Sequence, residues 1–151
     1  MRMMLWNSRV VRCIVTAALW ISLSSCARTV APPDGKSLYV RLGGPTMISS
    51  MVDQFVTNIL SDSRINRRFA TADIARLRSH LVDQLCMVTG GPCTYAGRDM
   101  KSAHAGLKIT GGEFAALMED LATALDRLKV PVQEKDQLLA LLTPMKKTIV
   151  E

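Results

Sequence analysis

Gly90-Gly91-Pro92-Cys93-Thr94-Tyr95-Ala96-Gly97-Arg98-Asp99-Met100-Lys101-Ser102-Ala103-His104-Ala105-Gly106 separates two apolar helical patterns and carries one of the chain's two histidines. A glycine pair followed by proline ends whatever helix precedes it. Cys93 to Arg98 then has neither a helical nor a strand period and reads as an ordered loop. Asp99 to Ala105 has room for one short helix, with His104 near its end. Upstream, Asp73 suits the cap of a helix whose inner face is Ile74, Leu77, Leu81, Leu85 and Val88. Downstream, Thr110 and Glu113 have capping-box spacing. Behind them Phe114, Leu117, Met118, Leu121, Leu125 and Leu128 form a long stripe at helical period.

The same period continues outward. Met47, Ile48, Met51, Val52, Phe55, Val56, Ile59 and Leu60 predict an amphipathic helix entered through Gly43, Gly44 and Pro45. Ser37 to Leu42 fits one or two turns before it, and Asp62 to Ala72 is polar and irregular apart from Phe69. Pro131 begins a last helix, which Pro144 should kink or bring to its final turns. No segment alternates, and aromatics are only 5% of the chain, which favours packed helices over strands. The fold class expected is all-α, with about six helices in one domain.

The N-terminus reads differently. Arg2, Arg9 and Arg12 precede Cys13 to Leu23, which is apolar apart from Thr16 and Ser22. That is the length and polarity of a secretory signal, too short for an ordinary membrane span. It ends in Leu23-Ser24-Ser25-Cys26, which resembles a bacterial lipobox, with Cys26 as the lipid-bearing residue. The plainer alternative is an ordinary cleavage near Ser25. The expected organisation is a signal at 1–25, a linker at 26–36 rich in proline and glycine, and a globular domain at 37–151. Localisation would be the cell envelope, lipid-anchored on the periplasmic face, with Ala27 favouring an outer membrane where the cell has two. The three signal arginines carry half of the formal net charge of +6, and no basic run with interleaved aromatics follows. Nucleic acid is therefore not an expected partner.

Cys86 and Cys93 remain, seven residues apart across the glycine turn. In an oxidising compartment such a turn can bring two thiols into disulfide range. Two independent buried thiols are the alternative. Zinc is a poor third, for want of close spacing and a second ligand pair.

Tyr39-Val40-Arg41-Leu42-Gly43-Gly44, Phe55, Phe69, Gly90-Gly91-Pro92, Tyr95 and Met100-Lys101-Ser102-Ala103-His104-Ala105-Gly106 together resemble a truncated globin of the first group. The resemblance runs from about Leu38 to Val150. It implies a two-over-two helical sandwich enclosing one haem b, with His104 as the proximal iron ligand. A lone histidine in an apolar setting is by default a satisfied core residue, but globin iron takes a neutral imidazole from one side, and the family places that ligand here. The family's pattern also implies Phe69 against the haem face and Leu77, Leu85, Met100, Ile109 and Phe114 as walls. Arg76, Arg78 and Lys101 are candidates for its propionates, or simply a solvated basic face.

The distal side departs from the pattern. Members often carry a tyrosine where this chain has Val56, and a glutamine where it has Leu81. Each missing charge-assisted donor costs on the order of 1.5–3 kcal/mol, roughly tenfold or more in gas affinity. His80 stands beside Leu81. Some members bring such a histidine onto the iron, and an exposed or propionate-facing histidine is the equal alternative. The function implied is reversible binding of dioxygen, nitric oxide or carbon monoxide, with a reductase as a partner if the iron cycles. A haem-dependent nitric oxide dioxygenase, a peroxidase, an electron-transfer protein, or a haem-free lipoprotein with a redox-sensing dithiol are the alternatives. No acid–base pair beyond His80 points to an enzyme.

Overall fold

The computed structural model describes residues 35–151; the signal, Cys26 and most of the linker lie outside the described residues. Seven α-helices and two 3-10 turns make up the regular structure there. They are α1 (Leu38–Arg41), α2 (Gly44–Ser61), a 3-10 turn (Asn66–Phe69), α3 (Ile74–Val88), α4 (Met100–His104), α5 (Gly111–Arg127), α6 (Val132–Leu142), a second 3-10 turn (Thr143–Met145) and α7 (Lys146–Ile149). The pairs α2 with α3 and α5 with α6 form a two-over-two sandwich, with α2 packed most extensively on α5 and α3.

The core lies along α2. Ile48, Met51, Val52, Phe55, Val56 and Ile59 recur every three or four residues and are all buried, which puts them on one face of a helix. They meet Leu85 of α3, Leu121, Ala124 and Leu125 of α5, and Leu138 of α6. Local chemistry sets the boundaries. The Asp73 side chain accepts from the Arg76 amide at the start of α3. The Asp99 side chain does the same for Ser102 at the start of α4. Thr110 and Glu113 form the reciprocal capping box of α5.

Both glycine pairs meet at Tyr39. The Tyr39 amide donates to the Thr89 carbonyl at 2.8 Å. That lays the aromatic ring on Gly91, where a methyl group would stand 2.7 Å from Tyr39 Cδ2 and 2.6 Å from Cys86 Sγ. Gly90 just before it takes a left-handed φ of 80°, the backbone geometry that ends a helix at little cost only for glycine. The N-terminal and central motifs are thus two halves of one junction.

Two sequence expectations change in detail. Pro144 does not merely kink the last helix. It sits in a 3-10 turn that redirects the chain, so that α7 packs against α4. The stretch 62–72, expected to be irregular, contains the 3-10 turn that carries Phe69.

Candidate functional site

A cavity of about 760 Å³ opens between α3, the 93–99 loop, α4 and α5, and the chain turn before α7 also borders it. Its volume falls inside the roughly 300–1,000 Å³ span of cofactor and small-molecule sites. Along α3 the wall is Leu77, Leu81 and Leu85, and opposite it stand Met100, His104 and Phe114. Polar residues of the lining include Arg68, Arg76, His80, Gln84 and Arg98.

His104 is the chemically distinctive residue. Its Nδ1 lies 2.7 Å from the Met100 carbonyl oxygen, one turn back on α4. A carbonyl only accepts, so Nδ1 carries the proton. Nε2 then keeps its lone pair, and no hydrogen bond falls on it among the described residues. The bond at one ring nitrogen fixes orientation for the other, the arrangement that suits an imidazole to bind a metal.

His80 is held quite differently. Arg76 Nε donates to His80 Nε2 at 3.4 Å, since a guanidinium has no acceptor. The Tyr95 ring meets the imidazole edge-on, with centroids 6.0 Å apart. Tyr95 is itself fixed by its hydroxyl, which donates to the Arg98 carbonyl at 3.0 Å. The loop bearing Tyr95 is tied to α3 by a disulfide between Cys86 and Cys93, with Cα atoms 5.7 Å apart.

The bacterial-like globin family profile matches residues 37–151. The chain belongs to this family. A group 1 truncated haemoglobin of Nostoc sp. is 34% identical over 113 residues, covering 75% of this chain and 96% of the relative. Its counterpart in Synechocystis sp. is 38% identical over 99 residues, covering 63% and 80%. Among solved structures, the truncated haemoglobin of Tetrahymena pyriformis in its Fe(III) form superposes with a TM-score of 0.74 at 28% identity, covering 76% of this chain and 98% of that one.

Most of the residues expected from the sequence border this globin's cavity: Phe69, Leu77, His80, Leu81, Leu85, Met100, His104 and Phe114. Val56 does not. It is fully buried in the core, and Phe55, one position earlier on α2, lines the cavity instead. Ile109 borders a smaller neighbouring cavity of about 140 Å³, together with Phe69, His104 and Phe114. Arg78 turns the other way, with Nε 3.3 Å from Asp53 Oδ1 on α2. Lys101 is exposed and not part of the lining. Arg98, which lines the cavity, was not singled out from the sequence. Its only sequence signal is its place between the Tyr95 loop and the Asp99 cap.

Proposed function

We propose that the globin holds one haem b between α3 and α4 and binds a diatomic gas there reversibly. The observation that carries this is His104: a proton on Nδ1, a bare Nε2, and a place on the wall of a large apolar cavity. The donor set suits the group: one imidazole on the wall of a mostly apolar enclosure whose lining also carries cations. Haem supplies the iron at which the gas binds. The chain supplies His104 as proximal ligand, Phe69 and the α3 leucines as the enclosure, and Arg76 and Arg98 as cations suited to the two carboxylates. Cys86 and Cys93 are bonded to each other and so offer no thiols for covalent haem attachment, which favours haem b. Leu77, Leu81 and Leu85 exclude water and present no donor to a bound gas. Fast release is the consequence.

His80 belongs to the rim in this reading, because Arg76 occupies its Nε2 and Tyr95 flanks its ring. The test is the absorption spectrum of purified protein titrated with haem. One equivalent should give a sharp Soret band and a five-coordinate ferrous state. No saturable uptake would refute haem binding. A six-coordinate low-spin ferrous spectrum, lost in His80→Ala, would move His80 from the rim onto the iron.

The proposal extends to location. The support is Leu23-Ser24-Ser25-Cys26 behind an Arg-flanked apolar run. No helix among the described residues is long and apolar enough to cross a membrane, so a lipid on Cys26 is the contact proposed, with the domain on the periplasmic face. Intact mass of membrane-extracted protein should start at Cys26 with acyl chains attached. A soluble exported form with a free Cys26 thiol would overturn it.

A further inference from the structure

The segment that follows His104 is held largely from outside. It leaves α4 through Gly106 with φ 77° and Lys108 with φ 50°, left-handed positions of which the second is not glycine. Non-glycine residues adopt this geometry uncommonly and are held in it by their surroundings. One bond is local, the Leu107 amide donating to the His104 carbonyl at 3.1 Å; other backbone groups of this turn find their partners on distant elements. Glu151 at the end of the chain accepts from two amides with one carboxylate, Gly106 at 2.7 Å and Lys108 at 2.9 Å. From the other side Arg68, just before Phe69, donates to the Leu107 carbonyl at 2.7 Å and the Lys108 carbonyl at 3.2 Å. The same guanidinium grips both oxygens of Glu113, at 2.7 and 3.0 Å. Glu113 in turn receives the Thr110 amide at 2.9 Å. The Glu151 amide donates to the Ile109 carbonyl at 3.0 Å, closing the turn against the end of the chain.

We infer that Arg68 and Glu151 form a two-sided clamp that positions His104 as a haem ligand. They are positioning residues, since neither contacts Nε2. The inference rests on His104 being the proximal ligand. Its physical basis is the length of α4. Five residues make barely more than one turn, too short to be stiff on its own. The Asp99 cap fixes its front end. At its rear α4 packs on α7, and the clamp adds directional bonds there, beginning two residues beyond the imidazole and one before Leu107, which shares the cavity wall with His104. The direction of the α4 axis, and with it the aim of Nε2, is therefore set by contacts from the Phe69 turn and the end of the chain. A partner that orients a ligating histidine typically changes metal affinity by about 10–100-fold when removed.

The experiment uses the full haem-loaded protein in the ferrous, gas-free state. The iron–histidine stretching band in the resonance Raman spectrum reads the bond directly, and haem transfer to an acceptor protein reads affinity. Glu151→Ala should shift and broaden the band and speed haem loss by about tenfold, while Glu151→Asp restores part of both. Arg68→Lys keeps the charge but loses the fork and should give an intermediate effect. In the haem-free protein, amide exchange at Gly106 and Lys108 should quicken in Glu151→Ala. Unchanged band, haem loss and exchange in Glu151→Ala would overturn the clamp while leaving His104 in place. Absence of the band in both the unmodified protein and His80→Ala, which removes any sixth ligand from that side, would overturn the His104 assignment, and the clamp's role with it.

Discussion

The two sides of the cavity are built on opposite principles. Along α3, a helix of fifteen residues capped at both ends, Leu77, Leu81 and Leu85 form an apolar stripe of the wall; of its polar neighbours, His80 is met by Arg76 and Gln84 turns to the sulfurs of Met100 and Met145. Across from it, α4 has five residues, and the turn that follows it is held by charged side chains from two remote parts of the chain, Arg68 and Glu151. The difference follows from what each side does in the proposed function. A metal ligand must be aimed, and aim comes from directional hydrogen bonds. A gas-binding face without donors needs only shape and dryness, which apolar packing supplies. The disulfide between Cys86 and Cys93 joins the two designs, from the last turn of α3 to the loop that leads into α4.

The sharpest way to break this contrast is at the aimed side. His104→Gly should abolish stable haem binding, and added imidazole should restore a Soret band by filling the vacancy. If the variant keeps the parent's haem affinity without imidazole, the ligand is elsewhere and α4 has no special status.

The next effect is at the link. Replacing Cys86 with Ala and Cys93 with Ser opens a short covalent loop, worth roughly 2–3 kcal/mol on the chain-entropy account. Thermal unfolding should fall by on the order of 10 °C. A difference below about 2 °C would mean that the glycine junction at Tyr39 already fixes this corner without the bond.

The permissive side is tested by giving it a donor. Leu81→Gln should slow gas release by about tenfold, the value of one added hydrogen bond. An unchanged rate would mean that position 81 does not face the gas. A slow rate in the unmodified protein would mean that a donor already reaches it. Val56→Tyr is the wrong companion for this change. Val56 has no exposed surface and packs in the core, so a tyrosine there would strain α2 before it reached the cavity.

Val56 also shows where sequence reading stops. Neighbouring helix positions differ by about 100°, so whether Phe55 or Val56 faces the cavity depends on how α5 and α3 rotate α2, which no local pattern encodes. The helices, their caps, both glycine joints and the place of His104 on a short helix after the glycine loop were legible because each is written within a few residues. Arg68 and Glu151 were not, and Glu113 was legible only as a cap. The contacts of Arg68 and Glu151 to the turn after His104 span 39 to 45 residues of chain, and in sequence each is an ordinary surface charge. Arg78 and Arg98 were exchanged for the same reason. One faces Asp53 and the other the cavity, and only the tertiary path of α3 and the loop decides which.

The smallest expected effect concerns the pH range over which the aimed side stays aimed. The Arg68 guanidinium, helped by the amide and hydroxyl of Thr110, holds the Glu113 carboxyl down to about 2, from an ordinary value of 4.5. A depressed carboxyl stabilises the fold when ionised. Its contribution is therefore complete above about pH 4.5 and is lost as the pH falls towards 2. Glu113→Gln removes the charge at every pH. The difference in unfolding temperature between the unmodified protein and Glu113→Gln should accordingly be constant from neutrality down to about pH 4.5 and then shrink towards zero near pH 2. Arg68 is open to solvent on one side while Glu113 is half-buried, so water screens the pair, the gap should be small, and it should narrow further in high salt. A gap that instead closed between pH 7 and 5 would mean that Arg68 does not hold the Glu113 carboxyl down, and that the ion pair contributes nothing to the grip on the turn.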